Sequence, residues 1–201
     1  MSHVRASKQE LKRQRDALSR FKRYLPTLQL KKRQLQMEIR RVEAQEREAD
    51  AALAAAEAAL EPWVGLLALS LPITDHLAIA AVRRATTNIA GIEVPVLEDL
   101  AFTRTPPDLH GTPAFLDDAI AACQTLARLR MERRVLAEQR RLLAEELRIT
   151  SQRVNLFEKV KIPEAERAIR SIRIALGDQQ AAEVVRAKIA KSKAMDQEAS
   201  S

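Results

Sequence analysis

Glycine and aromatic residues are scarce in this chain: 4 glycines and 3% aromatics among 201 residues. So few glycines leave no Gly-rich turn to cradle phosphates, and so few rings exclude a large aromatic core and the stacking platforms of most nucleic-acid binders. Cysteine is nearly absent. Cys123 stands alone, so no internal disulfide framework exists and a reducing compartment is the simpler home. Its expected place is a small apolar seam or surface position. His3, His76 and His110 are dispersed without metal-ligand spacing, and Cys123 has no histidine near it in sequence, so the expectation is no metal, no cofactor and no catalytic group. Long apolar runs are missing too. The longest, Trp63 to Ile73, falls far short of the ~20 residues that span a bilayer, and the charged start (His3, Arg5, Lys8) lacks the apolar core of a signal peptide. A chain neither secreted nor membrane-spanning, resident in the cytoplasm, is expected.

What the sequence does contain is 46% apolar and 30% charged residues, rich in Ala, Leu, Glu, Arg and Gln. A narrow helical assembly that buries a seam and leaves most positions wet has this composition. The net charge of +7 is unevenly spread. Residues 1–47 hold 14 Lys/Arg against 5 Asp/Glu, residues 48–125 hold 3 against 11, and residues 126–201 hold 17 against 11. Basic ends around an acidic middle imply different partners for the two, whereas a uniformly basic nucleic-acid binder would need no such segregation.

Heptad periodicity is the dominant pattern. With Val4 at position a, Leu11, Leu18, Leu25, Ile39, Leu53 and Leu60 fall at a, and Phe21, Leu28, Leu35, Val42, Ala49, Ala56 and Trp63 fall at d. Pro26 predicts a kink near Tyr24 to Thr27 rather than an end, because the register continues across it, while Pro62 and Gly65 give a stop. An unbroken segment to Leu60 would be roughly 90 Å long.

A second helical pattern opens after Gly111, with Thr112 as cap and Pro113 in the first turn. Its seam runs through Leu126, Leu129, Leu136, Leu143, Leu147, Val154 and Phe157. Past Pro163 the apolar set Ile162, Ala165, Ile169, Ile172 and Leu176 continues one position out of that register, so a local rewinding or kink is expected at Pro163. The tail from Asp196 is expected to fray.

Between the two helices the grammar changes. Ile79 to Ile89 is rich in Val, Ile and Thr, Ala90-Gly91 follows, and Ile92 to Val96 alternates apolar and polar residues. That reads as a short β-hairpin or ribbon in which Pro95 confines its strand to an edge or bulge. The expected organisation is an N-terminal coiled-coil helix over 1–62, a middle insertion with linker over 63–113, a C-terminal coiled-coil helix over 114–195 and a tail over 196–201. The fold class is all-α, two long helices in an antiparallel coiled coil carrying a short β insertion, since exposed leucine stripes gain nothing unless paired.

Several motifs carry a family resemblance. The run Arg148, Ile149, Thr150, Ser151, Gln152, Arg153, Val154, Asn155, Leu156, Phe157, Glu158, with Ile162-Pro163 after it, resembles the C-terminal signature of V-type ATPase D subunits. Leu30-Lys31-Lys32-Arg33-Gln34-Leu35 and Gly91-Ile92-Glu93-Val94-Pro95 resemble two further family segments, in the same order, so the resemblance spans nearly the whole chain. Phe157, Gly177 and Pro26 depart from the family pattern, in the manner of a divergent bacterial branch.

The resemblance implies a non-catalytic axle that couples ATP hydrolysis or synthesis to ion translocation. Its partners would be the A and B subunits of the catalytic ring, the F subunit, and the funnel-shaped subunit above the membrane rotor; it would sit peripheral to the membrane without inserting. It also nominates Arg148, Thr150, Arg153, Asn155, Glu158 and Pro163 as contact candidates. Read from the residues alone, Arg148, Arg153 and Glu158 could equally be solvated or form local ion pairs. The competing class is a basic coiled-coil adaptor or nucleic-acid-binding protein.

Overall fold

A computed structural model describes residues 7–62, 64–67, 73–106, 113 and 115–198. Helix α1 runs from Lys8 to Leu60, followed by the short helices α2 (Val64–Leu67) and α3 (Ile73–His76). Strands β1 (Leu77–Ile89) and β2 (Ile92–Arg104) form one antiparallel ribbon. Helix α4 (Leu116–Leu156), a π-helical turn (Phe157–Lys161) and helix α5 (Ile162–Glu198) complete the order. The fold is two long helical runs with a β-hairpin inserted between them. Their residues cluster into two compact units, Met1–Leu30 with Thr150–Ser201, and Lys31–Ile149.

The α1 termini follow local chemistry. Ser7 Oγ accepts from the Glu10 backbone N–H at 3.1 Å, an N-cap that satisfies one of the donors a helix start leaves free. At the other end α1 stops at Leu60, two residues before Pro62. Pro26 sits inside the helix without ending it. A proline there removes one backbone bond, and the nearby Thr27 hydroxyl donates to the Tyr24 carbonyl at 2.8 Å.

In the unit built from 31–149, α1 and α4 lie antiparallel. Lys31 pairs with Glu146, Glu46 with Arg140, Asp50 with Arg133 and Glu57 with Arg130, so rising numbers on α1 meet falling numbers on α4. The core between them centres on Leu35, Val42, Leu143 and Val94, the last contributed by the ribbon. Ile39, Leu136 and Leu147 pack against it from the helices, and Ile89, Ala90 and Ile92 from the hairpin end.

The ribbon extends further than its alternating sequence announces, 13 residues in each strand. It lies along α4: the Arg104 guanidinium pairs with Asp117 at one end, and Gln139 Nε2 donates to the Pro95 carbonyl at 2.7 Å further along. From Asp117 to Gln139 an α-helix rises about 33 Å, and from Arg104 to Pro95 a strand covers about 30 Å, so the two elements match in length. Bulges between Ile79 and Ala81 and between Arg83 and Arg84 shift the register, the second leaving Glu98 without an opposite residue. That interruption hides the second half of β2 from a period-two reading.

Helix α4 begins at Leu116, whose N–H donates to the Pro113 carbonyl at 3.0 Å, so Pro113 stands in the turn that leads into the helix. Thr112, its expected cap, lies outside the described residues, as do Val4, His3, Trp63 and His110. Helix α5 is described as far as Glu198.

In the other unit, α1 lies beside α5 and the end of α4. The rings of Phe21 and Phe157 meet at 5.3 Å between centroids, tilted by 32°, and Lys22 pairs with Glu166 at 2.8 Å. Val154, Ala165, Ile169 and Ile172 are buried there. The rewinding expected near Pro163 is present as the π turn. Its closing bond runs from the Ile162 N–H to the Phe157 carbonyl, one residue wider than an α turn.

Candidate functional site

The chemistry of this chain is the chemistry of helix faces, and the named positions divide into inward and outward sets. On α1, Leu35 and Val42 are buried, while Leu11, Leu18, Leu25, Leu28 and Ile39 are half-buried. On α4, Leu143 and Val154 are buried, and Leu136 and Leu147 half-buried. Phe157 is half-buried in the π turn, and on α5 Ile169 and Ile172 are buried with Leu176 half-buried. The 3.6-residue period places these side chains one above another along a stripe, so the apolar pattern and the burial coincide.

The signature run is split by the same period. Thr150 points inward with 1% of its surface exposed, and it has a bonding partner. Arg148, Arg153, Asn155 and Glu158 are exposed, and Pro163 is half-buried. The Arg148 guanidinium is engaged locally, donating to Glu145 at 2.7 Å. Hydrogen bonding from Arg148 holds the Glu145 carboxyl below its ordinary value, and hydrogen bonding from Arg141 does the same for Glu138. Pro163 gives its carbonyl to the Arg167 Nε–H at 3.3 Å. Leu156 is 44% exposed and Val160 38%, so the outward face of this segment mixes charge with apolar surface.

Along the unit that holds 1–30 and 150–201, two grooves of about 780 and 920 Å³ flank the helices. Their walls are mostly basic: Arg15, Arg170 and Arg173 beside Glu166 on one, Arg13, Arg20 and Arg167 beside Glu164 on the other. Their floors are apolar, with Leu18 and Ile169 in the first and Phe21 and Ala165 in the second.

Among the described residues no group of three or more His, Cys, Asp or Glu is placed to hold a metal, and no helix is long and apolar enough to cross a membrane. Cys123 is half-buried on α4. Sequence reasoning missed Gln139, which is 7% exposed and joins α4 to the ribbon. Its only signal was a polar residue three positions after Leu136 on the inward face.

Fold and outward faces define a coiled-coil interaction protein, with a helix pair, a docked ribbon and basic grooves for surfaces. The family model for the D subunit of ATP synthase matches residues 10–192. The chain is 40% identical over 192 residues to the V-type ATP synthase D subunit of Borreliella burgdorferi, covering 96% of this chain and 95% of that one. It is 32% identical to the V-type ATP synthase D subunit of Chlamydia abortus and 34% identical to that of Chlamydia caviae, each over 96% of this chain and 94% of theirs. The chain belongs to the ATP synthase D-subunit family.

Proposed function

We propose that this chain is the central-stalk axle of a V-type ATPase or ATP synthase, a non-catalytic subunit coupling ATP turnover in a ring of A and B subunits to ion movement across the membrane. The observation that carries this reading is the family match over 10–192, with relatives covered almost end to end. The fold suits the task. An axle transmits torque by being stiff and asymmetric; the buried stripes of the paired helices within each unit suit stiffness, and the ribbon along α4 and the basic grooves offer different faces to different neighbours.

The basic ends, with their grooves beside Arg15, Arg20, Arg167 and Arg173, would face the A/B ring. The F subunit would bind the exposed coil or the ribbon, and the funnel-shaped subunit above the membrane rotor would receive the end near the helix junction. Arg153, Asn155 and Glu158, outward on the signature run, are the contact candidates toward the ring. The subunit would work at the cytoplasmic face of the membrane, as a peripheral component.

The test is reconstitution of A, B and F subunits with the membrane sector, with and without this chain, measuring ATP hydrolysis and ion pumping together. With the chain, pumping should follow hydrolysis. Without it, pumping should be lost whatever hydrolysis remains. Equal pumping in its absence would rule out the axle.

A further inference from the structure

Helix α1 is held unevenly along the unit built from 31–149. Leu35 and Val42 are its buried residues, and both belong to the core with Leu143 and Val94. From Glu43 to Leu60 no side chain of α1 is buried. The inward positions of that stretch, Ala49, Leu53, Ala56 and Leu60, are only half-buried. The seam beside them is open: about 390 Å³ of space lies against Leu53, Arg133 and Ala137, and about 290 Å³ against Glu43, Arg47 and Arg140. Protein interiors leave few voids larger than a water molecule, so close packing contributes little to holding this stretch in place.

The stretch is joined to α4 mainly by charge. Glu46 pairs with Arg140 at 2.7 Å, Asp50 with Arg133, and Glu57 with Arg130 at 2.9 Å. Both partners of the last two pairs are exposed, so water and salt screen them. Helix α4 is held by the ribbon as well, through Asp117 and Gln139. Taken by itself the stretch is a good helix. Nine of its 18 residues are alanine, the rest are Glu, Gln, Arg, Asp and Leu, and it continues a helix already formed, so no new nucleus is needed. Separation from α4 leaves its own backbone bonds intact.

We propose that residues 43–60 form an arm that swings away from α4 as an intact helix, pivoting where the core ends at Val42 and latched by the three ion pairs. The buried stripe that stiffens the helix pair stops at this pivot. The arm is about 27 Å long, so an opening of about 15° moves its tip by about 7 Å. Since α1 ends at Leu60 and α2 begins at Val64, the angle of the arm sets where the chain leaves the helix pair. The arm is a property of the chain by itself and does not rest on the axle reading.

Distances between nitroxide spin labels on the full chain test this, with Cys123→Ser removing the native thiol. One pair is placed at the arm by Ala58→Cys with Arg128→Cys, and one beside the core by Gln36→Cys with Ala144→Cys. Raising the salt concentration, or reversing the latch with Asp50→Lys and Glu57→Lys, should lengthen and broaden the arm distance while the core distance stays narrow. The helical circular dichroism should not fall. Ala137→Leu, which fills the space beside Leu53, should narrow the arm distance again. An arm distance that stays as narrow as the core distance after charge reversal would overturn the proposal. So would broadening of both distances together, or a helical signal that drops as the arm opens.

Discussion

Gln139 and Thr150 are the buried polar side chains among the described residues. Gln139 donates to the Pro95 carbonyl, and among the described residues β2 has no third strand beside it. Replacing it by leucine keeps the volume but leaves that carbonyl unpaired, at a cost of about 1–3 kcal/mol. Gln139→Leu should therefore lower the melting temperature and speed amide exchange in β2 while leaving α1 protection unchanged. The charged residues behave differently. Glu138 and Glu145 have carboxyls held below their ordinary value of 4.5 by hydrogen bonds from Arg141 and Arg148. Because the folded value is the lower one, the stabilisation is fully present above the unfolded carboxylate value and disappears as pH falls through the folded one. The contribution of these two pairs should be constant from neutral pH down to mildly acidic conditions and be lost only at strongly acidic pH. In the double variant Glu138→Gln, Glu145→Gln the acid limb of melting temperature against pH should be shallower. Both groups are exposed and their ion pairs are screened, so the change will be small.

The elements are shaped by a few backbone positions. The ribbon turns through Ala90 and Gly91, whose φ angles are 53° and 82°, and Asn88 Oδ1 accepts from the Gly91 N–H at 3.0 Å. Two successive positive φ values make the tight hairpin turn whose twist matches the strands, and a residue with a Cβ carries a penalty there. Ala90→Gly should raise stability by up to ~1 kcal/mol, and Gly91→Ala should lower it by a similar amount, both read by thermal unfolding. Open space around Gly91 means the second effect comes from backbone conformation and not from a clash. Of the four interhelical ion pairs from Lys31–Glu146 to Glu57–Arg130, the first is part-buried, and the exposed Arg133–Asp50 and Arg130–Glu57 pairs add little individually, about 0.2–1 kcal/mol each. They flank a stretch of α1 where Ala49 and Ala56 offer small side chains to the seam, and their geometry fits register better than it fits strength.

For the whole molecule, the axle reading separates two kinds of damage. Leu35 is fully buried, and Leu35→Asp places an unpaired charge in the core it shares with Val42, Val94 and Leu143, at a cost of several kcal/mol. In a reconstituted complex, ion pumping should fall more than ATP hydrolysis does. Glu158→Ala changes an exposed side chain and should leave hydrolysis substantial. Loss of hydrolysis with assembly intact would contradict a non-catalytic role. Much of this architecture is legible in the chain itself. Periodicity is a local property, so the two helical runs, the stop before Pro62, the turn at Ala90-Gly91 and the one-position shift near Pro163 were all readable from residue spacing, and the signature run pointed to the family. Tertiary structure decided what depends on partners distant in sequence. The ribbon reaches 13 residues per strand because it lies along α4, Gln139 meets a carbonyl 44 residues away, and Arg140 meets Glu46 across 94. The form of the register shift also waited for the structure. A kink and a π turn both accommodate a shift of register, and the bond from the Ile162 N–H to the Phe157 carbonyl, a backbone contact that residue spacing does not specify, makes it the turn.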